Sequence, residues 1–91
     1  MGAGFGYITV KNTTSGILTA IAYKCGTTQQ VGDPLVIAAG GSAYFNLDVS
    51  INYDVKLTFS TAPAKTITGL NAVYNPTLTI SLLGGLLNAV L

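Results

Sequence analysis

The chain has 91 residues, enough for one small domain with a single core and little margin. Its charge is confined to Lys11, Lys24, Lys56 and Lys65 against Asp33, Asp48 and Asp54, with no Glu, Arg, His or Trp. A net charge of +1 without arginine argues against a nucleic-acid partner, and one Cys with no His cannot close a zinc tetrahedron.

Along the chain, Gly2-Ala3-Gly4-Phe5-Gly6 opens a flexible arm, residues 1–6. A dinucleotide fingerprint needs a strand before its glycines and a helix after them, and here a strand follows. No basic segment and cleavage site precede a long apolar stretch, so no signal peptide is visible in the chain. Tyr7–Asn12 alternates with Ile8 and Val10 inward, Thr13–Gly16 turns, and Ile17–Lys24 is a second strand expected antiparallel to the first. Cys25–Pro34 is a polar loop, and Leu35–Ala39 is a short third strand ending at the Gly40-Gly41 reversal.

Ala43–Phe59 then alternates without a fault. Ala43, Phe45, Leu47, Val49, Ile51, Tyr53, Val55, Leu57 and Phe59 form the inward set, because a slip by one would bury Asp48, Asp54 and Lys56. As one strand the segment would run about 55 Å at roughly 3.3 Å per residue. A compact domain of this length has a radius of gyration of about 12 Å. A break at Asp48–Asn52, rich in turn formers, is the expected solution. A long strand swapped into another subunit or a membrane shares the same pattern. Ser60–Lys65 reads as a loop around Pro63, Thr66–Leu70 as a strand that ends or bulges at Gly69, Asn71–Pro76 as a turn, and Thr77–Leu82 as a strand. The chain is thus expected to be one all-β domain, 1–91, an antiparallel β-sandwich of about seven strands.

The apolar tail, residues 83–91, admits two forms. On helical spacing Leu82, Leu83, Leu86, Leu87, Val90 and Leu91 share one face. Alternatively Gly84-Gly85 breaks the preceding strand and the last residues add another. In either form the aliphatic side chains must find cover in the core, on a second subunit or on lipid.

Asp48, Ser50, Asn52 and Asp54 place oxygens at alternate residues, as a calcium loop opens. Tyr53 stands where such a loop needs Gly and Phe59 where it needs Glu, so the calcium candidate departs from the EF-hand pattern. Tyr7 and Tyr44 are candidates for stacking on sugars or sitting in an interface. Asn12-Thr13-Thr14 is a glycosylation sequon, usable in a secreted chain. Cys25 has no intrachain partner; it is either a buried small hydrophobe, the commoner outcome, or a link to a second chain. No nucleophile has a base and an orienter nearby in sequence, so no catalytic residue or cofactor is assigned and the chain is expected not to be an enzyme.

The segments ITVKNTTSGILTAIAY and LVIAAGGSAYFNL are similar to small fungal β-sandwich proteins of the aegerolysin type: a first strand ending in Asn-x-Thr, and a Gly-Gly-Ser turn into an aromatic strand. The resemblance implies binding to membrane lipids, or pore formation with a partner. This chain departs from that family by being shorter and by lacking the Trp used at lipid contacts.

A soluble domain usually carries about a quarter charged residues, and surfaces near zero net charge associate. At 8% charged and 49% apolar, this chain is poorly equipped to stay a dispersed monomer. The expected function is therefore a non-enzymatic subunit that self-associates into an oligomer, filament or surface layer, with Phe5 and the tail leucines as contacts. The alternative is a membrane-binding, pore-forming or glycan-binding module. Either role fits an extracellular or surface-associated protein.

Overall fold

Period-two alternation is realised along most of the chain. The computed structural model describes residues 4–91 and contains eight strands: β1 (Phe5–Asn12), β2 (Leu18–Lys24), β3 (Leu35–Ile37), β4 (Ser42–Asp48), β5 (Tyr53–Phe59), β6 (Ala62–Leu70), β7 (Thr77–Leu83) and β8 (Leu86–Val90). They form two four-stranded sheets, ordered β4-β1-β7-β8 and β3-β2-β5-β6, packed as a sandwich. The core between them holds Ile8, Val10, Leu18, Phe45, Leu47, Val55, Leu57, Leu78, Ile80 and Leu87, among others. All nine expected inward residues of Ala43–Phe59 either belong to that core or pack against it.

The alternating segment breaks at residues 49–52, as its turn formers require, but its halves do not pair. β4 lies in one sheet and β5 in the other, so the turn is an arch across the core and neither a hairpin nor one long strand. Asp48 shapes it: its Oδ1 accepts from Ser50 N–H at 2.9 Å and from Ser50 Oγ at 2.7 Å. A second arch overturns the expected β1–β2 pairing. β2 pairs with β3 and β5, and β1 pairs with β4 and β7. The corner is held by Asn12, fully buried, whose Nδ2 donates to the carbonyls of Gly16 (2.8 Å), Ile37 (3.0 Å) and Ala38 (3.2 Å). Its Oδ1 accepts from the N–H and the hydroxyl of Thr14. The sequon asparagine is thus a structural amide, closed to modification in the fold.

Four further expectations change. Only the β1–β7 pair is parallel, with Val10 beside Leu78, because two crossings return the chain on the far side of β1. Ser60–Lys65 is not all loop: β6 already starts at Ala62, and Pro63 is tolerated because β6 is an edge strand needing only one set of ladder bonds. Of the Gly-rich arm, Phe5 and Gly6 belong to β1 and residues 1–3 lie outside the described residues. Gly6 is there for contact: a Cβ at this position would stand 2.2 Å from the Ala72 carbonyl oxygen. The expected turn at Asn71–Pro76 contains a 3₁₀ turn, Ala72–Tyr74, capped by Asn71 and by Asn75 at φ 45°.

Candidate functional site

The outer face of the β4-β1-β7-β8 sheet is built by the residues that alternation turns away from the core. β1 contributes Phe5, Tyr7, Thr9 and Lys11, and β4 contributes Ser42, Tyr44, Asn46 and Asp48. β7 and β8 contribute Thr77, Thr79, Ser81, Leu83, Leu86, Asn88 and Val90. Lys11 and Asp48 are the charges among these residues. At one end the aromatics gather. Tyr7 lies opposite Asn46 and Tyr44 opposite Thr9, so the tyrosines are diagonal neighbours, and their rings meet edge-on at 4.9 Å and 80°. Phe5, 73% exposed, follows on the same face of β1. The 3₁₀ turn packs against β1, fastened by the Tyr7 N–H donating to Asn75 Oδ1 at 3.0 Å, and presents Val73 and Tyr74, the latter 83% exposed.

At the other end lies the tail, and it is a strand. Gly84 (φ 58°) and Gly85 (φ 78°) supply the two positive angles of a tight hairpin turn, which β-branched or bulky residues resist. The register sets Leu83 opposite Leu86, Ser81 opposite Asn88 and Thr79 opposite Val90. The helical face is therefore split. Leu82 and Leu87 turn into the core, while Leu83, Leu86, Val90 and Leu91 are exposed.

The sheet edges differ in how they are blunted. β3 has three residues, β6 carries Pro63, Lys65 and a register shift near Gly69, and β4 ends in Asp48. Short length, proline, lysine and bulges all discourage a further strand from docking. β8 has none of these devices, and no charged residue follows Lys65.

The opposite sheet bears an open cleft of about 450 Å³ lined by Tyr23, Thr27, Thr28, Gln30, Asp54, Lys56 and Thr66. Asp54 organises one side of it. Its Oδ2 accepts from Gly26 N–H at 2.9 Å and its Oδ1 from Gly69 N–H at 3.2 Å. The Gly26 bond, with help from Cys25 and Gly69, holds the carboxyl below the usual carboxylate range. Cys25 is exposed rather than buried, and its hydrogen bond to Asp54 pushes the thiol up. The calcium candidates fall into separate hydrogen-bond sets. Asp48 is bound to Ser50, Asn52 Oδ1 accepts from Asn71 Nδ2 at 3.0 Å, and Asp54 belongs to the cleft. Among the described residues no three His, Cys, Asp or Glu side chains stand together as metal ligands would.

Of the residues singled out from sequence, the fold brings Phe5, Tyr7 and Tyr44 to one end of an outer face and Leu83, Leu86 and Val90 to the other. Val73, Tyr74 and the Tyr23 cleft carried no periodic signal. The two asparagines framing Ala72–Tyr74 were the available sign of a compact, side-chain-capped turn. No protein-family model, curated protein or solved structure matches this chain, so its function is argued from this geometry alone.

Proposed function

We propose that the protein is a non-enzymatic structural subunit that self-associates through the outer face of the β4-β1-β7-β8 sheet and its β8 edge. The observation that carries this reading is two exposed apolar patches, Phe5 with Tyr7 and Tyr44 at one end and Leu83 with Leu86 and Val90 at the other, on a face whose remaining residues are Thr, Ser, Asn, one Lys and one Asp. Large apolar side chains left uncovered in patches mark interaction surfaces. Near-neutral charge removes the repulsion that would keep copies apart. Sedimentation velocity of the purified chain across concentration tests it: assembly gives species heavier than one chain, and Tyr44→Lys with Leu86→Lys returns them toward the monomer.

The cleft beside Tyr23 favours a second reading, a glycan-binding module. It offers one aromatic side chain among hydroxyl, amide, carboxylate and ammonium groups, the mixture that suits a sugar's apolar face and its hydroxyls. A glycan panel that binds wild type and not Tyr23→Ala would favour that reading.

A further inference from the structure

We propose that two copies of the chain pair β8 against β8, antiparallel about a two-fold axis at Asn88, to make one continuous eight-stranded sheet. The inference rests on the self-association reading and names its contact. A two-residue hairpin loop closes with its flanking residues, Leu83 and Leu86, as a hydrogen-bonded pair. Alternation then turns the N–H and C=O of Leu86, Asn88 and Val90 toward β7, and those of Leu87 and Ala89 toward the open edge.

This edge is complementary to itself. With the axis at Asn88, Leu87 of one copy stands opposite Ala89 of the other, so the outward-turned backbone groups of both exchange bonds. On the outer face Leu86 meets Val90 of the second copy, once on each side of an Asn88–Asn88 contact. The exposed Leu83 extends the same apolar row. Shifting the pairing by one residue would place donors and acceptors that already bond β7 at the new junction. No charged side chain follows Lys65, so the β8 strand itself brings no charged side chain to the pairing. That neutrality selects a second copy over a charged partner. The remaining edges carry proline, lysine, a bulge, shortness or a terminal aspartate, which leaves β8 as the edge fitted for the pairing.

The test is positional cross-linking in a Cys25→Ser background. Asn88→Cys places two thiols on the axis at a non-hydrogen-bonded position, where Cα atoms stand about 4.5 Å apart, inside the disulfide range. Leu86→Cys places them at opposite ends of the junction, roughly 13 Å apart at about 3.3 Å per residue. Under oxidised glutathione, the Asn88→Cys dimer is expected to form at least about tenfold faster than the Leu86→Cys dimer, since only the first meets disulfide geometry. In parallel, Ala89→Pro removes an edge N–H without touching the β7 ladder and lowers the assembled mass, with circular dichroism reporting that the β fold is kept. Equal cross-linking at both positions, with mass unchanged in folded Ala89→Pro, overturns the pairing and leaves self-association by another surface. A wild type that is monomeric in buffer overturns both, and sedimentation of that monomer with phosphatidylcholine vesicles would assign the exposed leucines to lipid.

Discussion

Asn12 and Ile37 stand 25 residues apart in the chain, yet the amide of the first donates to the carbonyl of the second at 3.0 Å, tying one sheet to the other. The same buried amide holds Gly16 and Ala38 and accepts from Thr14. Asn12→Ala leaves these groups without their partner at a buried to half-buried corner. A loss of about 2–4 kcal/mol is expected, since each unsatisfied buried polar group costs about 1–3 kcal/mol. Urea denaturation measures it; a loss below half a unit of that scale would deny Asn12 its role as the corner.

Gly6 allows the 3₁₀ turn to lie directly on β1. Gly6→Ala drives a methyl into the Ala72 carbonyl, 2.2 Å away and part of the backbone, so the turn must move. Overpacking of this kind costs about 1–3 kcal/mol. Thermal melts report the loss, and the nuclear magnetic resonance shifts of Tyr7 and Asn75 report the displaced turn. Unchanged shifts would contradict the contact.

Asp54 links pH to stability. Its folded-state pKa is depressed, first by the Gly26 N–H, so its contribution is present above the unfolded value of about 3.9 and is lost as pH falls through the folded value. Asp48, held by Ser50, adds to the same acid limb. The Cys25 thiol is raised, so its contribution is present at neutral pH and is lost as pH rises through its folded value. Denaturation between pH 2 and 6 should show a shallower acid decline for Asp54→Asn than for wild type. Because Asp54 disfavours the thiolate, the same variant should react faster with a maleimide at Cys25 near neutral pH. Equal rates would contradict the Asp54–Cys25 bond.

Leu57 and Leu86 are both leucines on strands, and their exposure separates their effects. Leu57→Ala in the core is expected to cost about 2–5 kcal/mol. Leu86→Ser, on the outer face, is expected to change the stability of the dilute, unassembled chain by no more than about 0.5 kcal/mol. A large loss at Leu86 in the dilute chain would mean that the chain itself already covers the tail.

Much of this was legible in the sequence, and the gaps have physical reasons. Phe45, Leu47, Val55 and Leu57 were assigned inward because period two depends on nothing but neighbouring residues. Pairing partners were not legible, since an arch and a hairpin have the same pattern and the choice is made by Asn12 reaching residues far along the chain. Leu-Leu-Gly-Gly-Leu-Leu fits a helix face and a hairpin equally well, and the positive φ angles of Gly84 and Gly85 decide it. Cys25 is exposed despite the usual burial of lone cysteines because it stands just past the end of β2, at the start of the polar loop. Tyr23 entered no pattern because a cleft is made by the loop that folds beside it.

In the proposed assembly, the low-charge outer face is covered by further copies of the chain. The most direct test of that assembly is the mass of the purified protein in dilute neutral buffer, by light scattering with negative-stain microscopy of the same sample. Discrete species at multiples of 9.3 kDa that grow with concentration are expected. A single 9.3 kDa species at every concentration would contradict the assembly.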